Sequence, residues 1–221
     1  MQGQDLKRVI LGGLGLVVEY RIALANALAI PFVLLVGLNA SQLIEIPVNV
    51  RLGLSLLGII VHTIFAVTTH RITLLGPQSV SRWGIFSWSR RETSFFLHLF
   101  GLGFMMVPLA VLAIIPVVGW TIAFGAMFWL AGRLSLVFPA IAVDHEITFK
   151  KSWQMTDRHQ ALMLFVVIVF PLLLSAPAIL LATWIPAAFL VTSVMTSLST
   201  VFTVATLSAA YRFIYQDVYE K

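Results

Sequence analysis

Six long apolar blocks separated by short polar segments organise the chain. Each block is close to twenty residues long, the length with which an α-helix crosses about 30 Å of hydrocarbon. We therefore predict six transmembrane helices, at about residues 22–40, 52–69, 95–115, 117–137, 161–183 and 187–211. The predicted fold is all-α, with residues 1–221 forming a single transmembrane domain.

The links between these helices predict three helical hairpins. Only Pro116 and its neighbours up to Gly119 join the third helix to the fourth, and Trp184-Ile185-Pro186 joins the fifth to the sixth. Links this short force antiparallel neighbours. Each hairpin has a basic segment before it, but residue identity among the three is poor, so true internal repetition stays open.

Two further segments have the pattern of amphipathic helices at the membrane interface. Residues 6–20 carry Leu6, Ile10, Leu14 and Val17 on one side, and we expect them to be a retained interfacial helix and not a cleaved signal peptide. The second runs from about Thr148, a suitable N-cap, to residue 159.

Composition supports lipid as the solvent of this chain. Hydrophobic residues make up 60% of it and charged residues only 10%, whereas soluble domains are about 25% charged. There is no cysteine, so disulfides, thiolate metal sites and cysteine nucleophiles are excluded.

The basic residues predict the orientation. Twelve of the 14 Lys and Arg fall on one side of a six-helix arrangement, which the positive-inside rule assigns to the cytoplasm together with both termini. Their position between apolar blocks indicates contact with phospholipid and not with nucleic acid. The residues that we predict to be membrane-interface anchors are Arg82, Trp83, Trp88, Arg90, Arg91, Lys150, Lys151 and Trp153.

Two short motifs carry a family resemblance. The first is Arg133-Leu134-Ser135-Leu136-Val137-Phe138-Pro139, followed by Asp144 and by Phe149-Lys150-Lys151-Ser152-Trp153, and the second is His70-Arg71-Ile72-Thr73-Leu74-Leu75-Gly76. With them the chain resembles uncharacterised six-helix bacterial inner-membrane proteins related to the membrane domain fused to some glycerophosphodiester phosphodiesterases. The resemblance implies a six-helix fold in the bacterial cytoplasmic membrane. It implies no reaction, because the phosphodiesterase domain is missing here.

A stripe of hydroxyl residues follows the sixth predicted helix. Thr192, Thr196, Ser199 and Thr203 recur at steps of four and three, which indicates either a packing seam or the wall of a polar pathway. His62, near the middle of the second helix, is a candidate functional residue, and we expect it to be hydrogen-bonded to that stripe inside the bundle.

Arg133 is the strongest candidate for a functional cation. It falls two turns inside the fourth predicted helix, where a guanidinium is costly unless it is paired. The possible partners that the sequence indicates for it are Trp129, Asp144, Glu146, Asp157 and a lipid phosphate.

His70 ends the second predicted helix and His98 lies near the start of the third. Two haem ligands on neighbouring helices could have this placement. Nothing else in the sequence marks a porphyrin pocket, and phosphate-binding loops, nucleophile elbows and paired intramembrane carboxylates are missing. We therefore predict a non-enzyme without a cofactor or a metal.

Two classes of function remain. The first is a non-catalytic scaffold or accessory subunit of a larger membrane assembly, for example respiratory or photosynthetic. The second is a small transporter or channel for a lipid-like or small polar solute. The second class predicts a polar cavity that passes His62 and the hydroxyl stripe.

Overall fold

The computed structural model describes residues 2–41, 44–83, 88–182 and 188–219, which form helices and turns with no strand among them. The all-α class is therefore confirmed. The helices are α1 (Gln2–Glu19), α2 (Arg21–Ala40), α3 (Val48–Leu75), α4 (Arg90–Leu112), α5 (Val118–Leu134), α6 (Val137–Ala142), α7 (Phe149–Met155), α8 (Gln160–Leu164), α9 (Phe170–Ala182) and α10 (Ala188–Tyr219).

Six helical segments are long and apolar enough to span a membrane, as the sequence predicts for a multi-pass membrane protein. They are Arg21–Ala40, Val48–Leu75, Arg90–Leu112, Val118–Ala142, Asp157–Leu181 and Phe189–Tyr219. The link predicted at residues 184–186 lies outside the described residues.

Prolines account for the two interruptions within spanning segments. Pro139 has no N–H to bond the Ser135 carbonyl, and the chain turns between α5 and α6 at residues 135–136. Pro171 follows a π-helical stretch, Phe165–Val169, that joins α8 to α9. A wider helical turn tolerates the absence of an N–H donor at the proline.

Most of the core lies at one end of the bundle, which we call the charged end because Arg71, Arg91 and Asp144 meet there. One cluster of buried residues joins α1, α6, α7, α8 and α10, and a second joins α3, α4 and α6. A third cluster, of α2, α3 and α10, extends further along the bundle.

Helix α1 packs tightly on α10. A Cβ added to Gly13 would lie 2.6 Å from the Cα of Thr206, so only glycine permits this approach. Val9 is 2% exposed, and it and Gly13 are the buried residues of α1, whereas Leu6, Ile10 and Leu14 are half-buried. The face of α1 that is buried against α10 is therefore rotated from the apolar side that the sequence predicts. Hydropathy identifies an apolar side of a helix but not the position of the helix that covers it.

The halves of α4 and α5 that point away from the charged end have few contacts with the rest of the chain. Only Gly119 and Ala123 are buried between residues 96 and 131, a stretch that is fully described. The two helices meet at a γ-turn in which Val118 N donates to Pro116 O at 2.7 Å. Its central residue, Val117, has φ +60° and ψ −64°, a strained conformation for a β-branched residue.

Candidate functional site

The backbone of Arg133 is held by the segment after α6. Its carbonyl accepts hydrogen bonds from Ser152 Oγ at 2.9 Å and from Thr156 Oγ1 at 3.1 Å. Carbonyls in the last turn of a helix have no intrahelical donor, and α5 ends at Leu134. Helix α7 and the residues after it therefore bind the end of α5 at this point.

The side chain of Arg133 is 2% exposed and lies against two indoles. Its Cζ is 4.5 Å from the ring centroid of Trp153 and 6.0 Å from that of Trp129. Its Nη2 donates to Asp157 Oδ1 at 3.1 Å. Ring faces carry negative potential, so Trp153 supplies part of the compensation that burial of this cation requires.

Two of the guanidinium nitrogens of Arg133, Nε and Nη1, are buried and have no hydrogen-bond partner among the described residues. The Trp153 ring lies over the guanidinium, with its centroid 4.5 Å from Cζ. The arrangement therefore favours structural pairing over substrate binding, with Arg133 clasping α5 to the segment that follows α6. Of the partners that the sequence names, Trp129 and Asp157 are in contact, and Trp153 is added to them.

A second cluster joins the ends of three helices at the charged end. Asp144 lies between Arg91, whose Nε is 2.8 Å from Oδ1, and Arg71, whose Nη1 is 3.2 Å from Oδ2. Arg71 Nη1 also donates to Ala142 O at 2.9 Å. The hydrogen bond from Arg91, together with the charges of both arginines, holds the pKa of Asp144 below its usual value of 3.8.

Sequence reasoning missed this cluster, although both motifs contribute to it. Arg71 comes from one motif and Asp144 from the other, and the motif spacing gives no hint that they meet. Arg91 was predicted to be a headgroup anchor, but it is engaged with Asp144 and is only 22% exposed in its side chain. Asp144 also has φ +61°, a left-handed conformation that Asp tolerates better than most residues.

The other predicted anchors divide into exposed and engaged side chains. Lys151 Nζ lies 5.1 Å from the Tyr219 ring centroid, and Trp153 covers Arg133. The exposed anchors are Arg82, Trp83, Trp88, Arg90 and Lys150.

His62 is exposed, so its predicted place inside the bundle is wrong. The interhelical polar contact that was expected of it is made by His70 of α3, whose Nδ1 is 2.8 Å from Ser208 Oγ on α10. Thr73 Oγ1 also donates to Ser208 Oγ, at 2.9 Å. The polar contact between α3 and α10 therefore lies near the charged end and not at the depth of His62.

The histidines considered as haem ligands have separate protein neighbours. The ring of His70 is 1% exposed and lies 6.3 Å from that of Phe95, between centroids. His98 is half-buried, with Nδ1 2.8 Å from Ser94 O and its ring 5.2 Å from Phe149. Both rings therefore have a hydrogen-bond partner within the protein at Nδ1, and the absence of a cofactor stays a prediction.

The hydroxyl stripe of α10 does not line one surface. Thr196 is exposed, whereas Thr192 is half-buried and donates to the Phe189 carbonyl of its own helix. Ser199 is buried, with its Oγ 3.1 Å from Ser175 Oγ on α9. The hydroxyl of Thr203 is buried and without a partner among the described residues. Packing against α9 therefore explains part of the stripe, and no continuous polar pathway follows from it.

An apolar groove opens between α2, α3 and α10. Its volume is about 510 Å³, its lining includes Leu28, Phe65 and Val201, and Arg21 lies at one end. Neither His62 nor Arg133 lines it.

A polar pocket of about 340 Å³ lies beside Arg71 and Arg91, but the carboxylate of Asp144 already binds both cations.

Comparisons with protein-family models, with curated proteins and with solved structures find no match for this chain. The resemblance drawn from the two motifs therefore stays a prediction, and the contacts described above carry the functional argument.

Proposed function

We propose that this protein is a non-catalytic scaffold or accessory subunit of a larger assembly in the bacterial cytoplasmic membrane, for example a respiratory or photosynthetic one. Its partners would be other membrane proteins and the surrounding phospholipid. The observation that carries the proposal is the weak packing of the halves of α4 and α5 that point away from the charged end. In the most apolar 18-residue stretch of α4, only 6% of the residues are buried.

Exposure of apolar side chains to lipid is not by itself informative, because lipid solvates them. More informative are the helix contacts that these halves of α4 and α5 lack. Helices in membranes are held together by close packing, often at small residues. A Cβ on Gly103 or Gly125 would meet nothing within 4 Å, so both backbones are open to another helix. The same surface exposes Phe104 (79%) and Trp120 (56%), side chains that are enriched where proteins meet.

The polar residues support a structural role over a catalytic or conducting one. Arg133, Asp144 and His70 are all engaged by protein groups, and the pairs they form join separate helices. A proton-coupled or ion-conducting pathway would instead need ionisable groups that face a cavity deep within the membrane.

Site-specific photo-crosslinking in native membranes tests the proposal. A benzophenone side chain at Phe104 should give protein adducts of defined size. The matched control is Ile179 on α9, which is 61% exposed and apolar but lies outside the proposed surface. It should give lipid adducts alone. Identical adduct patterns at the two positions would remove the support for a partner surface on α4 and α5.

We propose further that the six spanning helices form three hairpins and that both termini lie in the cytoplasm. The clustering of Arg71, Arg91 and Asp144 at one end supports this orientation through the positive-inside rule. The absence of cysteine makes the test direct. In intact cells, a membrane-impermeant maleimide should label Ser41→Cys and leave Gln4→Cys unlabelled until the membrane is opened. The reverse pattern would invert the topology.

The apolar groove favours one alternative function, transport of a lipid-like solute. A volume of about 510 Å³ next to the exposed Arg21 is suited to an acyl chain with an anionic head. Liposomes that contain the purified protein would then move fluorescent phospholipid between leaflets, and Leu28→Trp, which fills the groove, would slow that movement. Leu180→Trp on the exposed face of α9 is the matched control. Movement no faster than in protein-free liposomes would exclude this alternative.

A further inference from the structure

A small notch lies between α1 and α10 at the charged end of the bundle. Its volume is about 230 Å³, and Arg8 and Arg212 both line it. Gln216 adds a neutral polar side chain, and no carboxylate is among the lining residues. The notch is therefore a concave surface of positive charge.

The two arginines of the notch differ from the other arginines that the bundle engages. Arg71, Arg91 and Arg133 each form an ion pair with an aspartate. Arg8 and Arg212 form none with any carboxylate in the described part of the chain. Arg8 lies over the Phe213 ring at 5.8 Å from its centroid, and Arg212 Nη2 donates to Leu74 O at 3.1 Å. A ring face and helix C-terminal carbonyls therefore compensate these two charges only in part, because neither carries a full negative charge.

Small residues create the depression between these two cations. Gly12 and Ala209 lie on its floor, and a Cβ added to Gly12 would be only 3.8 Å from the Cβ of Ala209. The tight contact of Gly13 with Thr206, one residue further along α1, fixes the distance between the helices. The notch is therefore a consequence of how closely α1 packs on α10.

We propose that this notch binds the phosphate of an anionic phospholipid from the surrounding bilayer. Arg212 directly follows the last residues of the sixth apolar block, which is the depth at which lipid phosphates lie. Guanidinium groups bind phosphate oxygens through paired N–H donors, and two of them without a carboxylate favour a headgroup of net negative charge over a zwitterionic one. The bound lipid joins the first helix of the chain to the last.

Lipid titration of the purified full chain in mild detergent, followed by native mass spectrometry, tests this site. Phosphatidylglycerol should bind saturably and more tightly than phosphatidylcholine of the same chain length. A cation near the membrane surface changes such binding by about fivefold, so Arg8→Gln should weaken phosphatidylglycerol about fivefold and the double variant Arg8→Gln, Arg212→Gln about 30-fold.

Lys7→Gln is the matched control, because Lys7 is an exposed cation on the same helix that does not line the notch. It should change the affinity much less than Arg8→Gln does. Arg8 has only a ring contact, so its single variant keeps the test valid if loss of Arg212 unfolds the chain.

Equal effects of Arg8→Gln and Lys7→Gln would overturn the proposal, and so would equal binding of the two phospholipids. Inorganic phosphate should not displace the lipid at matched concentration. If it does, the notch binds free phosphate and the assignment to a membrane lipid is wrong. Because the notch lies away from α4 and α5, these outcomes are independent of the crosslinking test.

Discussion

Replacing Arg133 and Trp153, singly and together, measures how strongly the indole holds the buried guanidinium. Their separation of 4.5 Å is well within the range of a cation–π contact, and Arg133 is only 2% exposed. A desolvated pair of this kind contributes about 2 kcal/mol. Trp129 lies 6.0 Å away and is 40% exposed, so its contribution should be about 0.5 kcal/mol.

Two double-mutant cycles separate these values. The first combines Arg133→Met with Trp153→Leu, and the second, as control, combines it with Trp129→Leu. Far-UV circular dichroism in mixed detergent micelles gives the free energies of unfolding, since the altered tryptophans would change the fluorescence. We expect a coupling energy of about 2 kcal/mol in the first cycle, about 30-fold in the folding equilibrium. A coupling energy with Trp153 no larger than that with Trp129 would show that the Trp153 indole does not stabilise the buried guanidinium.

Two further substitutions, each with a control, and one change of pH are to be compared by the same free energy of unfolding. Val117→Gly relieves the positive φ and should stabilise the folded protein by about 1 kcal/mol. The control, Val118→Gly in the first turn of α5, should destabilise it by about as much. If both substitutions destabilise the protein, the turn is not strained. Gly13→Ala should destabilise by about 1–3 kcal/mol, because the new Cβ overlaps the backbone of α10. Gly15→Ala meets open space and should be neutral or stabilising, so equal losses would argue against tight packing of α1. The lowered pKa of Asp144 stabilises the fold above the unfolded value of 3.8, and this contribution is lost as pH falls through the folded pKa. Acidification from about pH 5 to about pH 3 should therefore destabilise the parent chain more than Asp144→Asn, and parallel pH curves would rule this out.

The six spanning helices follow from the sequence because lipid leaves the backbone little choice. A chain that crosses hydrocarbon must satisfy its N–H and C=O groups internally, so each apolar block of sufficient length becomes a helix. Hydropathy is less informative about where a helix ends. α3 continues to Leu75 and α10 to Tyr219, past their apolar blocks, and residues of both extensions, Ile72 and Ile214, are buried in the core.

Pairing of side chains between distant segments was harder to predict. Periodicity places residues on one face of a helix but does not say which helix covers that face or at what depth. The stripe containing His62 therefore suggested contact with α10 at mid-membrane, while the observed contact lies two turns away, at His70. The residue types of its amphipathic segment predict that Trp153 lies at the membrane interface. Its contact with Arg133 depends instead on how the segment after α6 folds back.

The seam between α1 and α10 has a consequence for the order of synthesis. A ribosome releases residues 2–19 before residues 188–219, so the glycine face of α1 has no α10 partner while the intervening helices are being made. The contact between α1 and α10 therefore forms only after the intervening helices have been made. A chain truncated before Thr206 would lack the residue on which Gly13 packs.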